Sequence, residues 1–125
     1  MDIINGGESL TFTTTSDVGI LLIHGFSGTT SALYSLFDHF AHLGYNIEAP
    51  RLSGHGTTSD DLKNFTFYDW INDVEFSYKT LRSRSRNIFV IGLSMGGALA
   101  LELASRRVEL KGVIAINNAL IYNFT

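Results

Sequence analysis

The sequence predicts an α/β domain built on a doubly wound parallel sheet. Apolar runs rich in β-branched residues alternate with stretches of helical spacing, in the order strand, helix, strand, helix, strand, helix, strand. Right-handed crossovers with helices on both faces then order the strands as 45–49, 18–23, 87–92 and 113–116. The order reverses between the 18–23 and 87–92 strands, and ligands in such sheets sit at the carboxyl ends of the strands flanking a reversal. Those two ends read His24-Gly25-Phe26 and Gly92-Leu93-Ser94.

Each element has its own signal. Residues 1–17 are polar and threonine-rich, with a short strand signal at Leu10-Thr11-Phe12-Thr13 that the pattern does not place in the sheet. Val18-Gly19-Ile20-Leu21-Leu22-Ile23 is a buried strand. Thr30 or Ser31 then caps a helix with Leu33, Leu36, Phe37, Phe40 and Leu43 on one face and Gly44 as its stop. Tyr45-Asn46-Ile47-Glu48-Ala49 is short and alternating, the pattern of an edge strand. The longest loop follows at 50–59, with one helical turn expected over 60–64. Thr66-Phe67-Tyr68-Asp69 is a capping box with a shorter acid, opening a helix that turns Trp70, Val74, Tyr78 and Leu81 to one side. Arg82-Ser83-Arg84-Ser85-Arg86 reads as a solvated helix end whose charge complements the dipole. A buried strand over 87–92, an apolar helix to about Arg107 and the strand Val113-Ile114-Ala115-Ile116 complete the pattern.

The chemistry lies between the third strand and the third helix. Gly92-Leu93-Ser94-Met95-Gly96 is G-x-S-x-G in a strand-turn-helix context, which holds a nucleophilic serine on a strained elbow. A serine there requires φ > 0 and sits where neighbouring β-carbons would collide, so Gly92 and Gly96 are expected to remove those carbons, with Gly97 following. The helix opening at the elbow directs its first N–H groups at an oxygen that becomes negative during acyl transfer. The Met95 N–H is one expected oxyanion donor. Phe26 is the second, on the loop after His24, where Gly25 and Gly28 let the backbone approach a substrate.

Composition narrows the function classes. The chain has 125 residues, 45% hydrophobic, with one proline, which suits one globular domain. A formal charge of −3 gives no electrostatic case for nucleic acid or an anionic membrane. The absence of cysteine removes disulfides and thiolate metal sites and suits a reducing, cytoplasmic compartment. The first residues lack the basic and apolar regions of a secretion signal, and no apolar run approaches the ~20 residues that span a bilayer. The sequons at Asn64 and Asn123 therefore carry no expectation of glycosylation.

Taken together, these motifs resemble the α/β-hydrolase family, and most closely its bacterial monoacylglycerol lipases and carboxylesterases. The residues carrying the resemblance are 21–29, Pro50-Arg51-Leu52-Ser53-Gly54-His55-Gly56-Thr57, Asp69-Trp70, 92–97 and Ile116-Asn117-Asn118-Ala119. The resemblance implies a serine carboxylic-ester hydrolase acting on a small acyl ester through an acyl-enzyme on Ser94, with no metal or organic cofactor. A thioesterase or acyltransferase on the same core is the alternative within the class. A non-catalytic α/β binding module is the alternative outside it.

The family order is Ser, then Asp, then His, yet the sequence after Ser94 contains no histidine. Glu102 and Glu109 have no base to orient. His24 and His55 match family positions that are not the triad base, and His39 and His42 fall on the first helix. The resemblance therefore implies a partial hydrolase core over 1–125, ending after the strand that follows the nucleophile helix, without cap, acid or base. A histidine supplied by another polypeptide is a third reading. Residues 113–116 would then be an uncovered apolar edge, through which self-association is expected.

Overall fold

The computed structural model describes residues 2–117. Its strands are β1 (Leu10–Phe12), β2 (Val18–Ile23), β3 (Asn46–Ala49), β4 (Asn87–Leu93) and β5 (Gly112–Ile116), and its α-helices are α1 (Tyr34–His42), α2 (Phe67–Arg82) and α3 (Met95–Arg106). The sheet runs β1-β3-β2-β4-β5. β2, β3, β4 and β5 are parallel in the expected order, and the reversal lies between β2 and β4. Side-chain alternation along the central strands splits the core in two. Leu21, Ile23, Ile88 and Val90 face Trp70, Val74, Tyr78 and Leu81 of α2 and Leu99 and Leu103 of α3. Ile20, Leu22, Ile47 and Ile91 face the other side, where Leu33, Leu36, Phe37 and Phe40 cover them.

Four sequence expectations are corrected. The sheet is mixed, because β1 pairs antiparallel with β3, Leu10 opposite Ala49 and Phe12 opposite Ile47. β3 is consequently an interior strand with all four residues buried, not an edge. Its polar residues are satisfied from both sides. Thr11 Oγ1 donates to Glu48 Oε2 at 2.7 Å, and the fully buried Asn46 accepts from the Thr14 N–H at 2.6 Å and donates to the Ser16 carbonyl at 2.8 Å and Ser85 Oγ at 2.9 Å. Alternation in the sequence thus marked paired polar groups, not a solvated face.

The second correction concerns the first helix. Thr29 caps a 3₁₀ turn over Thr30–Leu33, and the α-helix proper starts only at Tyr34, which leaves Leu43 beyond its end and 54% exposed. Third, the arginine run is only partly solvated. Arg84 bridges Glu48 at 3.2 Å with both side chains largely covered, and Ser85 is buried against Asn46, while Arg82 and Arg86 stay exposed. Fourth, the turn over 60–64 starts one residue earlier and is 3₁₀, Ser59–Asn64.

The remaining elements match. Asp69 Oδ2 accepts from the Thr66 N–H at 2.7 Å, closing the expected cap. Trp70, Val74, Tyr78 and Leu81 are all buried. Among the described residues, the outer edge of β5 pairs with no strand, and Ile114 is 54% exposed. No helix of the described residues is long and apolar enough to cross a membrane. Asn118, Ala119 and the Asn123 sequon lie outside the described residues.

Candidate active site

The parallel register of β2 and β4 builds the crevice. Ile23 stands opposite Gly92, so the two strands end together and release His24-Gly25 beside Leu93-Ser94. Ser94 has φ 53° and ψ −119°, a conformation costly for any residue with a β-carbon. Its N–H continues the sheet ladder, donating to the Ile116 carbonyl at 2.8 Å, and its carbonyl accepts from the Gly97 N–H at 2.8 Å. The backbone on both sides of the serine is thereby committed, which holds the strain in place.

The flanking glycines are required by space. A β-carbon on Gly92 would overlap the Gly96 carbonyl, and one on Gly96 would overlap the Ile23 carbonyl. Neither has a positive φ, so their role is to let β2, β4 and α3 touch, and the left-handed residue is Ser94 itself. Ser94→Gly should remove the strain and raise the stability of the chain by about 1 kcal/mol, read from the urea midpoint. An unchanged or lower midpoint would show that the serine is not strained.

The loop after β2 lies against Ser94. A β-carbon on Gly25 would come 3.3 Å from Ser94 Cβ and 3.9 Å from its Oγ. Gly28 does a different job from the one expected. Its N–H donates to the Gly25 carbonyl at 3.1 Å, and a β-carbon there would press on that same oxygen, so it closes the turn instead of admitting a substrate. Between them, the Phe26 N–H has no acceptor among the described residues, and its side chain is 53% exposed. The Met95 N–H, first of α3, has no acceptor within its helix or among the other described residues. Expected donors Phe26 and Met95 thus both carry unused hydrogens at the end of the sheet where Ser94 sits.

His24 is the strut of this loop. It is fully buried, its Nδ1 lies 2.8 Å from the Gly25 carbonyl, and its Nε2 lies 3.2 Å from the Leu52 amide. A carbonyl can only accept and an amide can only donate, so the proton is on Nδ1 and the ring is neutral. Burial holds its pKa down at about 4, although the Gly25 hydrogen bond works the other way. Both ring nitrogens are used, and neither is free to serve Ser94.

A second layer was not anticipated as such. Trp70 Nε1 donates to the Ser53 carbonyl at 2.8 Å, and Asp73 accepts from the Ser53 N–H at 2.6 Å and from Ser53 Oγ at 3.0 Å. These contacts tie α2 to the 50–56 loop. The rings of Phe26 and Trp70 stand 5.7 Å apart, each edge-on to His55. The signal for Trp70 was available, since a buried indole N–H requires an acceptor. Asp73 carried none. Glu102 pairs with Arg106 at 3.6 Å and Glu109 accepts from the Tyr78 hydroxyl at 2.7 Å, so both carboxylates are engaged elsewhere. Among the described residues, no group of three or more His, Cys, Asp or Glu could hold a metal ion.

Known proteins share this chain's sequence and fold. A model described as the alpha/beta hydrolase family matches residues 20–121. A thermostable monoacylglycerol lipase from Bacillus sp. (strain H-257) is 42% identical over 118 residues, covering 94% of this chain and 47% of the lipase. A carboxylesterase from Bacillus subtilis (strain 168) is 34% identical over 99 residues, covering 78% of this chain and 40% of the esterase. The chain therefore spans about half the length, or less, of these curated relatives. A solved structure from the pair LipS and LipT, two metagenome-derived lipolytic enzymes, superposes with a TM-score of 0.92 at 37% identity, over 96% of this chain and 49% of that one. From the matched model, these identities and this superposition, the chain belongs to the alpha/beta hydrolase family.

Proposed function

We propose that the chain carries the nucleophile and oxyanion hole of a serine carboxylic-ester hydrolase of the monoacylglycerol lipase and carboxylesterase kind. The observation behind this reading is Ser94, held at φ 53° against the Gly25 turn, with the Phe26 and Met95 N–H groups unpaired beside it. Ser94 Oγ attacks the acyl carbonyl, and the two N–H groups receive the negative charge that forms on its oxygen. Expulsion of the alcohol leaves an acyl group on Ser94, and water then releases the acid. His24, Gly25, Gly28, Gly92, Gly96 and Gly97 hold this geometry without touching the substrate.

The proton acceptor for Ser94 comes from outside residues 1–125 in this proposal. His24 has both ring nitrogens engaged, and His55 is buried among aromatic rings with no hydrogen bond to Ser94. His42 binds the Asp38 carbonyl at 2.7 Å on α1. Without a base, attack by Ser94 relies on the Phe26 and Met95 N–H groups and on loss of its proton to water, which keeps the rate far below that of a complete triad. The chain should therefore hydrolyse a short-chain p-nitrophenyl ester slowly, and Ser94→Ala should abolish that rate. Equal rates in the two proteins would remove Ser94 from the reaction.

A further inference from the structure

A cavity of about 320 Å³ lies between α2 and the β1–β3 edge of the sheet, and it shares no residue with the Ser94 crevice. Its walls bring together Glu48 of β3, Arg51 just after it, and Asp73, Phe76 and Ser77 of α2. One of the three charges is already paired. Glu48 meets Arg84 at 3.2 Å through one oxygen and Thr11 through the other. Arg51 and Asp73 form no ion pair among the described residues, with each other or with any third side chain. Both are nonetheless held in place. The Arg51 amide donates to Ser9 Oγ at 2.8 Å and its Nη1 to the His55 carbonyl at 2.9 Å, while Asp73 accepts from the Ser53 N–H and hydroxyl. Arg51 keeps Nε–H and Nη2–H groups without an acceptor among the described residues, and each Asp73 oxygen keeps a lone pair.

Ser77 is a further polar group left over. It is 9% exposed, and its hydroxyl bonds to no other described residue. Among the described residues, the side-chain polar atoms both unpaired and sealed from solvent are His55 Nε2 and Arg84 Nε. The Ser77 hydroxyl therefore stays reachable, through the cavity that it lines. Phe76 supplies the apolar wall, with 74% of the residue exposed.

This lining limits the ligand. An anion on Arg51 would lie in the same cavity as the unpaired Asp73 carboxylate, and a cation on Asp73 would share it with the Arg51 guanidinium. A molecule carrying both charges meets both, and an apolar substituent covers the Phe76 ring. The volume is at the small end of ligand pockets, which run from about 300 to 1,000 Å³. We propose that this cavity binds a free α-amino acid with an apolar side chain. Its carboxylate accepts from Arg51, its ammonium group donates to Asp73, and its side chain lies against Phe76. The Ser77 hydroxyl, able to donate or accept, bonds to one of the charged ends.

The test uses the full chain labelled with ¹⁵N and follows the Arg51, Phe76 and Ser77 amides during titration with L-phenylalanine. N-acetylphenylalanine, which lacks the ammonium group, and phenylalanine amide, which lacks the carboxylate, are titrated separately. The expected result is a saturable shift with phenylalanine, and binding about tenfold weaker for each of the other two, the equivalent of one charge-assisted hydrogen bond. Asp73→Asn keeps an oxygen for the Ser53 N–H. It should weaken phenylalanine about tenfold and leave N-acetylphenylalanine unchanged. Phe76→Ala, at an exposed position that the fold does not depend on, should weaken phenylalanine several-fold and leave glycine unchanged. A linear, non-saturating shift or equal affinities for the three probes would overturn the site. So would equal losses of phenylalanine and N-acetylphenylalanine in Asp73→Asn, or unchanged phenylalanine binding in Phe76→Ala.

Discussion

Gly92→Ala is expected to abolish the native fold or to cost at least about 3 kcal/mol, the upper part of the range for overpacking a core. The added methyl meets the carbonyl of Gly96 and the amide of Gly97, which are backbone atoms in the first turn of α3 and have no rotamer to change. Relief would require β4 and α3 to separate at the point where Ser94 is held. Gly44→Ala is the control. Its β-carbon would enter open space, and only its φ of +83° resists the change, so the expected cost is about 1 kcal/mol. Urea unfolding of the two variants beside the parent chain checks the contrast. Similar midpoints for both would mean that the elbow tolerates a wider crossing than the geometry allows.

The second large effect is acid sensitivity above the carboxylate range. His24 titrates near its ordinary value of 6.5 when unfolded and at about 4 when buried. The unfolded chain therefore binds more protons between these limits, and stability falls as pH drops from 6.5 to about 4. The size is about 3 kcal/mol, from 1.36 kcal/mol per unit. His55, also lowered by burial, acts in the same direction. Asp61 and Glu109 are held below the ordinary carboxylate range by hydrogen bonds, so their losses come at lower pH and do not mimic this one. Denaturation midpoints at pH 7, 5.5 and 4.5 should fall stepwise, and His24→Gln should flatten that slope. A pH-independent midpoint across the window would mean that His24 is not locked neutral.

The parts of the fold that the sequence revealed are those governed by local periodicity. Strands β2 and β4, the α2 face of Trp70, Val74, Tyr78 and Leu81, and the strand-turn-helix at Ser94 each announce themselves within a dozen residues. What it concealed depends on partners far along the chain. Alternation at 46–49 suggested an exposed edge, but Asn46 is buried because Thr14, Ser16 and Ser85 come to it from 30 to 39 residues away. The three-residue β1 is too short for a period, and only its pairing with β3 makes it a strand.

The same division holds at the site. G-x-S-x-G and the Gly25 turn are local motifs with steric demands, and both occur where those demands place them. Gly28 looked like a substrate approach and closes a turn instead, since glycine spacing cannot say which atom needs the room. The hold of Asp73 on Ser53 spans 20 residues between a helix and a loop, and no pattern in either segment signals it. His55 was visible as a residue, whereas its unpaired nitrogen is visible only once its neighbours' hydrogens are accounted for.

The central claim is that Ser94 is the acyl acceptor of this crevice, and mass measurement of the intact chain after exposure to p-nitrophenyl acetate at mildly alkaline pH tests it most directly. The account predicts one acetyl group per chain, mapped to Ser94, lost only slowly because His24 has both ring nitrogens engaged and His55 makes no hydrogen bond to Ser94 among the described residues, and absent from Ser94→Ala. No adduct, or the same adducts in the parent and Ser94→Ala, would contradict it.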